Sequence, residues 1–341
     1  MKKFLVCFMV ILFSAAALAG CGNPQEPAVG DALELTGMAA EAAAVNKADY
    51  PITILTGPTS GVYFPIGEAF AAALEAYGYA ATATATAASG ENIKAMQNGQ
   101  GELAIAMSDS VLQAYEGFGA FQGQEPATDL CAMMSLWPNY VQIVTTKDSG
   151  VKSFADLKDK QVGVGTLNSG VEINARMIFE AHGMSYDDCT VDYLSYADAI
   201  EKLKNGQCDA AFVTSGLGNK TISELGSTKD IYIVPVEGEA LNSLTSKYSF
   251  FFAETIAADV YGTDADTPTV AVMNIMLVDK NLPDAVVYDM LTGIFAGLDG
   301  VQASHSAAAD NIALENSLRG LTIPLHPGAE AFFTDHNVSA Q

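Results

Sequence analysis

The stretch that decides the fold is QVGVGTLNSGVEINARMIFEAHG, residues 161–183. Its first five residues read as a short buried strand and 166–170 as a loop of small and polar residues. From Val171 onward, Ile173, Met177 and Ile178 fall on one side of a helix. A strand that feeds a helix through Ser and Gly aims free backbone N–H groups, and the positive end of the helix dipole, at one point. That point suits a carboxylate or another anion. A single turn of this kind occurs in any α/β protein; this chain repeats it three more times.

The second unit is a strand over Ile52–Thr56, a turn over 57–61, and a helix over Val62–Tyr77 with Pro65 in its first turn, where a missing N–H costs little. The third is the strand Leu103–Met107, then Ser108-Asp109-Ser110 and a helix to Gly117. The fourth is the strand Ala210–Val213, ending in Thr214-Ser215-Gly216. Between them, Ala80–Ala88 alternates Ala and Thr as a strand does, and Ser89–Asn98 reads as a short helix with Ser89 as N-cap. Leu130–Val144, holding Leu136-Trp137-Pro138, reads as strand, bend, strand leading toward a second lobe. Tyr248–Phe252 and Thr269–Val278 read as strands returning to the first, and Pro283–Leu298 as an amphipathic helix. Alternating strands and helices imply an α/β protein with parallel sheets. Two such sheets joined by crossing strands place their strand ends on either side of one cleft, where a ligand is expected. The expected limits are 50–146 plus 248–341 for lobe 1 and 147–247 for lobe 2.

At 341 residues, half of them hydrophobic, the chain can bury a large core. Its 16 Lys plus Arg against 40 Asp plus Glu give a formal net charge of −24, which argues against nucleic acid or an anionic membrane face as partner. Lys2 and Lys3, the apolar run Phe4–Leu18 and the small residues before Cys21 make a secretory signal over 1–20, too short for a lasting membrane span. Leu18-Ala19-Gly20-Cys21 looks like a bacterial lipoprotein box, in which Cys21 would be acylated and would anchor the protein to the outer side of the cell membrane. Residues 21–49, rich in Ala, Glu, Pro and Gly with Lys47 as the one basic residue, read as a flexible stalk, with folding from Tyr50.

Several stretches resemble one family. Ile54-Leu55-Thr56-Gly57, Ser60-Gly61-Val62-Tyr63-Phe64-Pro65, Ser169-Gly170 with Glu172, Asn174-Ala175-Arg176, and Ile323 to Glu330 are similar to the TAXI proteins. These are the extracytoplasmic solute receptors of tripartite ATP-independent periplasmic (TRAP) transporters, and the resemblance runs from about Asp49 to the C-terminus. It implies a two-lobed, type II periplasmic-binding-protein fold with a ligand cleft between lobes. It implies delivery to a TRAP membrane permease, and small carboxylates such as glutamate or 2-oxoglutarate as ligands. Carried over by position, the first-lobe ligand loops are Ser60, Gly61, Val62 and Tyr63, Ser89 with Asn92, and Ser108-Asp109. The second-lobe loops are Asn168, Ser169, Gly170, Val171 and Thr214, Ser215, Gly216. On this resemblance the groups at Ser60–Val62 and Ser169–Val171 take carboxylates, Tyr63 and Trp137 meet the carbon chain, and Asp109 accepts from an amino group. This chain departs from its relatives at Val171, where Thr is common, and at Thr86-Ala87-Ala88-Ser89, where Thr-Gly-Gly-Ser is usual.

Other residues leave two readings open. Trp137 belongs to the core or to the cleft. Arg176 is a carboxylate clamp or, one to two turns into its helix, the partner of a structural acid. Cys131, Cys189 and Cys208 are an odd number, so Cys189–Cys208 forms a bridge or all are buried thiols. His182, His305, His326 and His336 lack metal spacing, and no cofactor or metal is implied. No G-x-S-x-G elbow, GK[ST] loop or HExxH is present, so a binder is expected in preference to a surface-anchored enzyme. A sensory receptor of the same fold, signalling to a membrane partner, is the alternative.

Overall fold

A computed structural model describes residues 37–309 and 311–339. The expected signal sequence, Cys21 and the first part of the expected stalk lie outside the described residues. Ten strands form one mixed sheet: β1 Ile52–Leu55, β2 Ala81–Thr84, β3 Leu103–Met107, β4 Leu130–Thr146, β5 Gln161–Gly163, β6 Thr190–Asp192, β7 Ala210–Ser215, β8 Ile231–Val234, β9 Phe252–Ile256 and β10 Thr267–Asp279. Their order is β2-β1-β3-β10-β4-β7-β5-β6, with β8 on β4 and β9 on β10.

Two parallel triplets flank the long strands β4 and β10: β1, β2 and β3 on one side, β5, β6 and β7 on the other. β3, LAIAM, is buried at every residue, as a strand covered on both faces requires. β10 runs antiparallel to β3 and β4, and β7 antiparallel to β4. The register then fixes where the triplets end. Met107 at the end of β3 pairs with Asn274, next to the Met273–Pro138 pair, and Ser215 at the end of β7 pairs with Tyr140. Both triplets therefore point their carboxyl ends at the middle of β4, around Asn139.

The expected strand, bend, strand over Leu130–Val144 is one continuous strand. Its register with β10 shifts twice, and each time β4 holds the additional residue. One bulge falls on Leu136–Trp137, beside Pro138, and supplies the bend without ending the strand.

The helices are α1 Met38–Ala43, α2 Tyr63–Tyr77, α3 Ser89–Gln97, α4 Ser108–Glu116, α5 Gly170–Ala181, α6 Tyr196–Lys204, α7 Lys220–Gly226, α8 Gly238–Lys247, α9 Asp284–Ala296, α10 Leu298–Ser304, α11 Ser306–Ala309 and α12 Pro327–Asp335. The strand expected at Tyr248–Phe252 begins only at Phe252. Tyr248, Phe250 and Phe251 instead form an aromatic cluster at the end of α8, which looks like strand composition in sequence. The three described cysteines are free thiols, so the bridge left open between Cys189 and Cys208 is not formed.

The stalk reading is corrected for residues 37–49. α1 packs against α9, with Ala42 buried, and a turn of 3-10 helix at Lys47–Asp49 delivers Lys47 to a buried acid. Lys47 Nζ lies 2.9 Å from Asp289 Oδ2 on α9 and 4.6 Å from the centre of the Tyr77 ring. Tyr79 Oη donates to the same oxygen at 2.7 Å and Tyr77 Oη to the other at 3.2 Å. A segment rich in alanine and without aromatic residues is thus held by an ion pair whose acid is 242 residues away in sequence, beyond the reach of a composition argument. Removing one partner strands the other charge in the core. Lys47→Ala should therefore lower unfolding stability by about 3 kcal/mol, measured by urea denaturation. It should also expose residues 38–49 to protease at urea concentrations where the wild type resists.

Candidate ligand-binding site

The site grows from the strand ends just described. After β1, the Gly61 N–H donates to the Pro58 carbonyl at 2.8 Å, a turn that starts α2 at Tyr63. A side chain on Gly67 would collide with Thr56, so α2 lies directly on the end of β1. After β5, Gly165 and Asn168 take positive φ (93° and 61°) and fold the loop back onto α5. Ser169 caps α5, its Oγ accepting from Glu172 N at 3.3 Å, while Glu172 Oε2 accepts from Asn168 N at 3.2 Å. This reciprocal cap engages Glu172 N and leaves the leading Gly170 and Val171 N–H groups without a helical acceptor.

These junctions meet at one small cavity of about 30 Å³, room for little more than a water or two. Gly57, Pro58, Gly61, Val62, Tyr63, Ala88 and Met107 line it from the β1–β3 half. Gly170, Val171, Tyr196, Thr214 and Ser215 line it from the β5–β7 half, and Asn139 of β4 lies between them. No Lys or Arg is among these residues. The halves touch beside it: a Cβ on Gly90 would collide with the Asn168 carbonyl oxygen, and one on Gly170 with Met107 and Ser89.

Beneath the cavity is a buried chain of neutral hydrogen bonds. Trp137 Nε1 donates to Asn139 Oδ1 at 3.0 Å, and Asn139 Nδ2 donates to Asn274 Oδ1 at 3.1 Å. Tyr63 Oη donates to the same Asn274 oxygen, and Asn274 Nδ2 donates to the Trp137 carbonyl at 2.8 Å. Burial drives the Tyr63 phenol well above its ordinary pKa and does the same to Tyr196, so both stay neutral donors. Tyr196 Oη donates to the Thr214 carbonyl at 2.6 Å, whereas Thr214 Oγ1, on the lining, is buried with no partner. Such an orphan hydroxyl costs free energy unless something meets it.

Of the residues expected at the site, Gly61, Val62, Tyr63, Gly170, Val171, Thr214 and Ser215 come together here. The others do not line the cavity. Ser60 is half-buried on the α2 turn. Asn168 and Ser169 instead line a separate surface groove with α3. Ser89 is not an N-cap: Ala88 precedes the helix at φ 70°, and Ser89 Oγ accepts from Met107 N at 3.1 Å. Asn92 is spent on the backbone, donating to Thr56 O at 2.6 Å and Ile105 O at 2.8 Å while accepting from Thr86 Oγ1. Trp137 is fully buried, edge-on to Tyr63, and Gly216 packs near it. Ser108 and Asp109 are buried next to the lining residue Met107. The Asp109 carboxyl group is bonded to Asn174 and not presented to the cavity. Arg176 takes its second reading, donating through Nη2 to the fully buried Glu172 at 2.6 Å. Tyr196 and Asn139 lie outside the residues that sequence pattern points to. Tyr196 opens α6 after the cap Ser195 and a short strand, the same signature as the other units, whereas Asn139 is placed only by strand register, opposite Val272 of β10.

Neutral donors, an orphan hydroxyl and apolar walls at Val62, Ala88, Met107 and Val171 can hold one polar or anionic end of a small molecule against its compact carbon part. No His is among the lining residues, and among the described residues no group of His, Cys, Asp or Glu could hold a metal ion. No described helix is long and apolar enough to cross a membrane.

Solved structures share this architecture. MatC from Rhodopseudomonas palustris with bound malate matches at 13% identity over 84% of this chain and 97% of that one, with a TM-score of 0.55. The binding-protein component of an ABC phosphonate transporter from Pseudomonas aeruginosa matches at 13% identity over 76% of this chain and 80% of its own, with a TM-score of 0.51. A protein from Bordetella bronchiseptica RB50 matches at 16% identity over 84% and 82%, with a TM-score of 0.50. At these identities the likeness is one of fold, the two-lobed fold of type II periplasmic binding proteins. The sequence profile of the NMT1-like family matches residues 54–336, and the chain belongs to that family.

Proposed function

We propose that this protein is an extracytoplasmic solute receptor of the TAXI kind. It captures a small carboxylate of the glutamate or 2-oxoglutarate class, closes on it, and delivers it to a TRAP permease from a lipid anchor at Cys21. The observation that carries the reading is the convergence of the α2 and α5 N-termini, from opposite halves, on one cavity beside the unpartnered Thr214 hydroxyl. Free N–H groups and a hydroxyl suit carboxylate oxygens without any cationic side chain. The malate held by MatC shows that this fold accommodates such a solute in that protein.

The lobes of the reading are 50–146 plus 248–341 and 147–247, hinged where β4 and β10 cross, with α1 added to the first. A space of roughly 30 Å³, room for a water or two, does not admit a molecule of the glutamate class, so its entry requires the halves to separate. With no Lys or Arg on the lining, a second polar end of the solute is met by neutral groups, Asn139, Ser215 and Tyr196.

Calorimetry against a panel of small mono- and dicarboxylates should show saturable one-to-one binding by at least one. Absence of binding across the panel would count against the proposal. Thr214→Val should weaken that binding roughly tenfold through loss of one hydrogen bond while leaving the melting temperature unchanged or slightly raised. Gly90→Ala wedges a methyl group against the Asn168 carbonyl. It should reduce affinity by about tenfold or more, in proportion to the loss of the closed population, and enlarge the radius of gyration in solution scattering.

A further inference from the structure

One contact between the halves is a pair of completely buried side chains outside the cavity. Asn174 of α5 donates through Nδ2 to Oδ2 of Asp109, the second residue of α4, at 2.7 Å. The other oxygen of each group, Asp109 Oδ1 and Asn174 Oδ1, is buried without a hydrogen-bond partner. Two bare acceptors on the two members of one bonded pair are costly if the acid is ionised. A neutral carboxyl opposite a primary amide removes both deficits at once, because its O–H supplies the missing donor. We propose that Asp109 is the neutral acid when the halves are together and that its hydroxyl donates to Asn174 Oδ1, so that closing the cleft takes up one proton from water onto the Asp109 carboxylate.

Among the described residues no charged group stabilises the anion. From α5, Arg176 is committed to Glu172, which also accepts from Tyr186. From α3, Glu91 accepts from Ala87 N and Lys94 lies over the Phe121 ring. From α2, Tyr63 is neutral, and its phenol is pushed up further by Asp109. β3 and the turn at Gly119–Phe121 carry no charged residue, β10 has only Asp279 at its far end beside Leu130, and Glu116 of α4 itself is exposed. Burial lifts the Asp109 carboxyl to about 7 from its ordinary 3.8. The Asn174 amide and the nearby N–H groups of Ser110 and Asp109 oppose this only in part, and neither N–H reaches Oδ1 in hydrogen-bond geometry. The sign follows. A carboxyl raised in the closed form favours closure fully at pH below its open-form value, and that advantage is lost as pH rises toward 7.

The protonation stands on the buried pair alone, whereas its coupling to closure rests on the clamp motion of the function proposed above. Neither test below uses a ligand, so failure of the solute reading would not imitate failure here. In the whole protein labelled with carboxyl-¹³C aspartate, one resonance should titrate near pH 7 and vanish in Asp109→Asn; a midpoint below about 5 would overturn the proposal. Solution scattering from pH 5 to 8 should show wild type opening as pH rises, with the closed-to-open ratio falling up to about tenfold per pH unit below the closed-form value. Asp109→Asn can form the amide–amide pair at every pH and should stay closed throughout. A wild-type radius independent of pH, or a variant that opens in parallel with wild type, would overturn the coupling. Should the variant fail to fold, the wild-type titration and scattering decide alone.

Discussion

Because β4 pairs with β10 along its first half and with β7 along its second, two parallel triplets that run in opposite directions are forced to end at the same place. Everything that makes a site follows from that register. Helices that follow parallel strands start at carboxyl ends, so the amino ends of α2, α4 and α5 are brought together at the middle of β4. A shift of one residue in the β4–β10 ladder, where Asn139 pairs with Val272, would turn Asn139 and its neighbours to the opposite face. The bulge at Leu136–Trp137 belongs to the same constraint, since it bends β4 where Trp137 must lie beneath the cavity and Asn139 beside it.

The chemistry at this crossing is neutral throughout. Trp137, Asn139, Asn274 and Tyr63 form a closed set of donors and acceptors, each fixing the orientation of the next, and burial keeps the phenols protonated. A protein with net charge −24 can still offer an attractive place to an anion. Helix N-termini act over a few ångströms, while surface carboxylates beyond about 8 Å are screened at physiological salt.

The part legible in sequence is what depends on neighbours along the chain. The β1–α2, β3–α4 and β5–α5 units follow from periodicity and small-residue loops, and β3 lies where the pattern puts it. What failed depends on partners far away in sequence. Ser89 and Asn92 have the composition of ligand loops, but β1 and β3 pass close enough to take their hydrogen bonds. Asp109 is taken by Asn174, 65 residues on. Asn139 sits inside a strand, where nothing local distinguishes it from a core polar residue, and only the pairing of β4 with β7 and β10 exposes its role. Tyr196 was within reach, since Ser195 and the start of α6 repeat the rule used for the other junctions.

The Lys47–Asp289 clasp sets where the folded body begins. On the anchoring proposed above, the chain between Cys21 and the folded body is residues 22–37 and not 22–49. Its fully extended span is then at most about 55 Å where the longer segment would allow about 95 Å. Were the chain anchored as proposed, so short a connection would confine the receptor to a small volume above the bilayer, raise its local concentration at a membrane-embedded partner, and restrict the heights at which its cleft is presented.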